Sequence, residues 1–225
     1  KLLSGASKFI KKAGEFLGNK NNDLGTLYSY SGGPESLYGI GRTTIKRYTS
    51  TYKDSLTEAM TFLSEDERVI FVGQQIVFPG NPMSATLKNV SEDKMIEMPV
   101  AEEFQLGFCN GLALGGYRPI SFYPRWDFLI LAANQLCTHL DKLKDYSKGD
   151  FNPIVGIRVA VPTSTPIDPG HQHKADYTKE FQSILKHIPV IKLDSAEKIL
   201  PAYKKFLEPN AKPTVFVEYV ERYGY

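Results

Sequence analysis

From residue 51 onward, short apolar segments alternate with segments of helical periodicity, and this alternation is the strongest constraint on the fold. The first such segment, residues 68–73 (RVIFVG), is almost continuously apolar, as expected of a parallel strand buried on both faces. Because right-handed crossovers join parallel strands, we predict an α/β fold with a doubly wound, mostly parallel sheet and helices on both faces. The predicted strands are 68–73, 94–98, 119–123, 153–161, 190–193 and 214–219; the predicted helices are one capped by Ser50 or Thr51, then 103–116, 128–143, 177–187 and 196–207.

The distribution of charge divides the chain near residue 50. The 225 residues include 27 Lys and Arg against 25 Asp and Glu; residues 1–50 hold eight against three, a net +5, which leaves nineteen against twenty-two, a net −3. We predict two parts: a basic N-terminal extension, residues 1–50, and an α/β domain, residues 51–225. The extension begins with an amphipathic helix pattern and continues as a segment rich in Gly, Asn and Ser. That helix could pack on protein or lie on a membrane surface. The positive charge of the extension is, by itself, only a weak argument for nucleic-acid binding. The function of the extension stays unassigned.

The two cysteines, Cys109 and Cys137, both fall in helical patterns, and the sequence has no CxxC motif. They are expected to be small buried residues rather than a disulfide. We also find no signal-peptide pattern and no apolar run of membrane-spanning length. We therefore expect a soluble cytoplasmic protein without a membrane span.

The motif Pro99-Val100-Ala101-Glu102 stands between a predicted strand and a predicted helix. Residues 94–98 alternate as a short strand does, and Pro99 ends it because proline has no N–H to donate. Glu102 is therefore predicted at the carboxyl edge of the sheet, where open α/β proteins bind their ligands. The alternative is a glutamate that only interacts with the helix dipole.

The run from residue 99 to residue 136 resembles the pyrimidine-binding domain of thiamine-diphosphate enzymes. The nearest types are the beta subunits of the decarboxylating component of 2-oxo-acid dehydrogenases and split transketolase-like proteins. The resemblance extends over residues 51–225 and includes the Pro-x-x-Glu signature, the turn Gly116 to Pro119, the segment Trp126-Asp127-Phe128, a later loop with histidines and a closing Val-Glu-Tyr strand.

The resemblance implies a role for several residues at the cofactor. Glu102 would be catalytic and bind the pyrimidine ring nitrogen of thiamine diphosphate, and Phe128 would stack on the aminopyrimidine, although core packing explains Phe128 equally well. Trp126 would lie at the same edge. Gln74 would also lie there, in a Gly73-Gln74-Gln75 segment that replaces the acidic Gly-Glu-Asp of the dehydrogenase beta subunits.

The loop after the strand 153–161 carries His171 and His173. The resemblance implies that one of these imidazoles reaches the thiazolium side and handles protons, for which a pKa near neutrality is suited. Which one does so stays open. A metal site is the weaker alternative because the sequence offers no further ligands at recognisable spacing.

The sequence lacks the Gly-Asp-Gly and later Asn that hold Mg²⁺ and the diphosphate in this superfamily. We therefore expect a partner alpha subunit, transketolase-like and diphosphate-binding, to supply Mg²⁺, with the two subunits forming a heterotetramer. The predicted function is the pyrimidine-side subunit of a split thiamine-diphosphate enzyme that decarboxylates 2-oxo acids with acyl transfer, or transfers ketol groups. The alternative is a non-catalytic interaction protein that retains the fold.

Overall fold

The computed structural model describes residues 51–78, 81–164 and 168–224, and the predicted extension, residues 1–50, lies outside them. The helices are α1 (Tyr52–Ser64), α2 (Glu102–Leu114), α3 (Trp126–Leu129), α4 (Leu143–Tyr146), α5 (Thr178–Ile184) and α6 (Ala196–Phe206). The strands are β1 (Val69–Gly73), β2 (Met95–Glu97), β3 (Arg118–Tyr123), β4 (Gly156–Val161), β5 (Val190–Lys192) and β6 (Thr214–Tyr219).

The six strands form one sheet in the order β2-β1-β3-β4-β6-β5. Every neighbouring pair in this sheet is parallel. The order changes direction at β1, as in a doubly wound sheet. The predicted fold class is confirmed, and the sheet is entirely parallel rather than mostly so.

Successive residues of the central strands contribute to two separate cores. In β1, Val69 and Phe71 pack with the first core, whereas Ile70 and Val72 pack with the second. Helices α1 and α6 cover the first face, and α2, α3 and α5 cover the second. This alternation follows from the period of two along a strand, and it explains why the strands read as continuous apolar runs.

Thr51, one of the two residues predicted as the cap, caps the first helix of the domain. Its hydroxyl accepts a hydrogen bond from the Asp54 amide at 3.1 Å, which satisfies one of the free amides of the first turn. The predicted apolar face of this helix is buried, and its residues are Leu56, Ala59, Met60 and Leu63.

The prediction of one α-helix over residues 128–143 is wrong. The segment consists of α3, a 3₁₀ turn (Ile130–Ala132), a π-helix (Asn134–Leu140) and then α4. The π-helix ends at Leu140, and the buried carboxylate of the next residue, Asp141, accepts the amides of residues 186, 187 and 188 at 2.8–3.1 Å. The same contacts end α5 at Ile184 rather than at residue 187, because those amides bind Asp141 instead of continuing the helix.

The first core also contains a buried ion pair that the sequence analysis did not predict. Arg158 of β4 and Glu218 of β6 form two hydrogen bonds, at 2.5 Å and 2.8 Å, and neither side chain is exposed. The Glu218 carboxylate also accepts the hydroxyls of Tyr203 and Tyr223. Burial raises the pKa of both phenols well above the ordinary value, so they remain donors.

Candidate functional site

The carboxyl ends of β1, β2, β3 and β4 lie at one edge of the parallel sheet, and the predicted site residues follow these ends. Gln74 comes directly after β1, and Glu102 follows β2. Trp126 and Phe128 come shortly after β3, and the two histidines lie in the loop after β4. Topology therefore directs these residues to the edge where open α/β sheets bind ligands.

Glu102 is the first residue of α2 and is buried, with 8% of its surface exposed. Its Oε1 accepts a hydrogen bond from Gln74 Nε2 at 3.3 Å. No other side chain of the described residues donates to this carboxylate, which can accept about four hydrogen bonds. The carboxylate thus combines burial, a helix N-terminus and unused acceptor capacity.

Three further hydrogen bonds hold the first turn of α2 against the end of β3. The Tyr123 hydroxyl donates to the Glu102 carbonyl oxygen at 3.2 Å, and burial holds the pKa of this phenol well above its ordinary value. Gln105 donates through Nε2 to Ser121 Oγ at 3.0 Å and to the Phe122 carbonyl oxygen at 2.9 Å. The backbone of Glu102 is therefore fixed to the sheet.

Phe128 and His173 lie together, with ring centroids 5.4 Å apart and planes inclined by 58°. Both side chains are half-buried, whereas His171 is exposed. His173 Nδ1 is buried and has no hydrogen-bond partner among the described residues. The Arg125 guanidinium carbon lies 5.7 Å from the centroid of the Phe128 ring. The structure therefore associates His173, and not His171, with Phe128.

Trp126 lies fully inside the second core, with no exposed surface. Its ring packs against Phe181 with centroids 5.1 Å apart. A ligand cannot contact a ring that is covered on all sides, so we correct the expectation that Trp126 binds the cofactor. Its position instead anchors the segment that carries Phe128.

Glu97 is a residue of this edge that the sequence analysis missed. Its carboxylate accepts three successive backbone amides of the loop after β1, those of residues 75, 76 and 77. The available signal was an acidic residue at the end of a strand that precedes a proline, and that signal alone does not identify its partners. Among the described residues, no group of three His, Cys, Asp or Glu side chains could hold a metal ion.

No family model matches the chain. The chain is 28% identical over 168 residues to the pyruvate dehydrogenase E1 component subunit beta of Cyanidium caldarium, covering 72% of this chain and 49% of that protein. It is 30% identical over 110 residues to the 2-oxoisovalerate dehydrogenase subunit beta of Bacillus subtilis, covering 47% of this chain and 34% of that protein. A solved structure described as "Split gene transketolase, inactive beta4 tetramer" shares the fold, with a TM-score of 0.50, 14% identity and coverage of 75% of this chain and 50% of that chain. These similarities support a transketolase-like pyrimidine-binding domain in this chain.

The chain spans about half the length of the pyruvate dehydrogenase beta subunits that it matches, such as 49% of the Cyanidium caldarium protein and 53% of that of Gracilaria tenuistipitata. Among the described residues, no helix has the length and apolar character needed to cross a membrane.

Proposed function

We propose that this chain is the pyrimidine-side subunit of a split thiamine-diphosphate-dependent enzyme that acts on 2-oxo acids or ketoses. The names of its relatives support this proposal, since they are beta subunits of 2-oxo-acid dehydrogenases. The reaction would be decarboxylation with acyl transfer, or ketol transfer. We also propose a cytoplasmic location, which cell fractionation tests.

The observation that carries the proposal is the buried carboxylate of Glu102 at the carboxyl edge of the sheet. Among the described residues this carboxylate has one side-chain donor, Gln74, and it has capacity for another. In the proposed site Glu102 shares a proton with the pyrimidine ring nitrogen, and Gln74 orients it. When bound, thiamine diphosphate supplies a carbanion sink through its thiazolium ring.

Phe128 and His173 fit the other parts of the same cofactor. The half-buried Phe128 ring offers a flat face for the aminopyrimidine, and aromatic stacking adds about 1 kcal/mol beyond the burial of area. The unpaired Nδ1 of His173 leaves this imidazole available to exchange a proton near the reacting carbon. Arg125, which has no carboxylate partner among the described residues and lies over Phe128, would bind an anionic group of the substrate.

The partner in this proposal is an alpha subunit that holds Mg²⁺ and the diphosphate, and the assembly is a heterotetramer. A set of apolar side chains around α2 is exposed and would contact that subunit. Their exposed fractions are 84% for Val100, 59% for Phe104, 48% for Leu114, 45% for Ile130 and 59% for Leu131. Clustered exposed apolar residues are typical of interaction surfaces.

Gly111 adds to the same surface of α2. A Cβ at this position would meet nothing within 4 Å, so the helix backbone is open to close approach by another chain. The solved relative described as an inactive beta4 tetramer is consistent with a beta subunit that needs a different subunit for activity.

Calorimetry tests the proposal directly. The chain, purified by an affinity tag from its own cells together with the partner it binds, should bind thiamine diphosphate and Mg²⁺ at micromolar concentration. The isolated chain should bind them weakly or not at all. Micromolar binding by the isolated chain would contradict the split arrangement, and no binding by either preparation would contradict the assigned cofactor and favour a non-catalytic interaction protein.

A further inference from the structure

Glu97 lies beside the point where β1 ends. In the parallel register Glu97 pairs with Gly73, the last residue of β1. The following amide, that of Met98, donates to the Gly73 carbonyl oxygen at 2.8 Å. The side chain of Glu97 therefore starts next to the loop that carries Gln74.

The Glu97 carboxylate binds that loop through three successive amides. Its Oε1 accepts from the Gln75 amide at 2.5 Å, and its Oε2 accepts from the Ile76 and Val77 amides at 3.0 Å and 3.1 Å. Successive amides that converge on one anion form a concave binding arrangement, and bonds to a charged acceptor are stronger than neutral ones. A single side chain thus closes the loop from the neighbouring strand.

The loop has a backbone conformation that needs such support. Gln75 has φ +54°, in the left-handed region that is uncommon for residues other than glycine. Its amide is held by Glu97, and its carbonyl oxygen accepts from Asn81 Nδ2 at 3.2 Å. Both backbone polar groups of Gln75 are therefore bound by side chains from outside the turn.

The base of the loop is fixed by close packing. A Cβ at Gly73 would lie 2.8 Å from the Phe122 Cβ and 3.0 Å from Ile76 Cγ2, so the strand leaves the sheet with no space for a side chain. Gln74 lies between this base and the residue clamped by Glu97. Its Nε2 donates to Glu102 Oε1 at 3.3 Å.

We infer that Glu97 is a positioning residue, which holds the loop after β1 so that Gln74 donates to Glu102 and orients its carboxylate. This inference rests on the proposed function, in which Glu102 meets the pyrimidine ring. Glu97 acts through Gln74 and has no contact of its own with the cofactor.

The first measurement uses the isolated chain and no cofactor. In a Glu97→Gln variant, one carboxylate oxygen becomes an NH₂ group that faces backbone donors. Amide hydrogen exchange of residues 75–77, followed by NMR, should therefore accelerate about 10- to 100-fold, as expected for the loss of a charge-assisted hydrogen bond. The nuclear Overhauser contact between the Gln74 side-chain amide and Glu102 should weaken. Glu97→Asp, which keeps the charge on a shorter side chain, should give an intermediate effect.

Glu92→Gln is the matched control, because Glu92 is exposed on the approach to the same strand. This variant should leave the exchange of residues 75–77 as in the wild type. Unchanged exchange in Glu97→Gln would overturn the inference, as would an unchanged contact between Gln74 and Glu102.

The second measurement uses the assembly purified with its natural partner and loaded with thiamine diphosphate. Glu97→Gln should bind the cofactor nearly as the wild type does but slow deuterium exchange of the thiazolium proton about 10- to 100-fold, the scale of a small displacement at a reacting group. If Glu97→Gln exchanged the thiazolium proton at the same rate as Glu92→Gln, this inference would be overturned while the proposed function would stand. A wild-type assembly that does not bind or activate the cofactor would instead overturn the proposed function.

Discussion

The imidazole of His173 packs on the ring of Phe128 with centroids 5.4 Å apart, while His171, two residues earlier, is exposed. The buried Nδ1 of His173 has no partner among the described residues. This difference separates two histidines that are equivalent in the sequence, and we therefore propose His173 rather than His171 as the acid–base group of the site.

Replacing His173 by Asn should reduce turnover by the assembly about 10²- to 10⁴-fold, the range of a positioned acid–base group. Exchange of the thiazolium proton should continue, because that step depends on Glu102. Turnover is followed with pyruvate, 2-oxoisovalerate and a ketose phosphate as probes. His171→Asn is the matched control and should stay within a few-fold of the wild type; equal losses in both variants would refute the selection of His173.

The exposed surface of α2 leads to a prediction about assembly. Phe104→Arg places a charge where the alpha subunit is proposed to pack, and since the ring is 59% exposed, folding of the domain should be preserved. The variant should recover much less partner in affinity purification. Phe151→Arg is the control, because Phe151 is 53% exposed and lies before β4, at the amino edge of the sheet, whereas Phe104 lies in the first turn of α2, at the carboxyl edge. Normal recovery of partner by Phe104→Arg would exclude this surface as the interface.

The buried pair of Arg158 and Glu218 predicts a large effect on stability. Glu218→Gln leaves the guanidinium buried without a counter-charge and should lower the free energy of unfolding by about 3–5 kcal/mol. Urea unfolding of the isolated chain measures this free energy. Glu208 is exposed, so the control variant Glu208→Gln should unfold with a free energy within about 0.5 kcal/mol of the wild type. A loss below about 1 kcal/mol in Glu218→Gln would show that the pair is dispensable.

Much of the fold could be predicted because local pattern and burial agree. β6 has the predicted bounds, since residues 214–219 form an apolar, β-branched run between a proline and a turn. The position of Glu102 after β2 also followed from the alternation of residues 94–98 and from Pro99. In these segments the residues whose pattern predicts the secondary structure are the same residues that pack against the core.

The remaining features depend on contacts between residues that are distant in the sequence. Asp141 binds the amides of residues 186–188, so α5 ends at Ile184, earlier than the periodicity predicted. Arg158 and Glu218 are 60 residues apart, and each alone reads as a polar residue in an apolar strand. Trp126 and Phe128 are equivalent in the motif, and only tertiary packing buries the first and leaves the second half-exposed.

The central claim is that the Glu102 carboxylate acts on the cofactor, and deuterium exchange of the thiazolium proton in the purified assembly tests it most directly. Glu102→Gln should leave folding and assembly nearly unchanged and slow this exchange by orders of magnitude, because the pyrimidine ring loses its proton partner. The neighbouring Glu103→Gln is the matched control, since Glu103 is exposed and accepts a hydrogen bond from Asn134 at 3.0 Å. Exchange at the wild-type rate in Glu102→Gln would contradict the account.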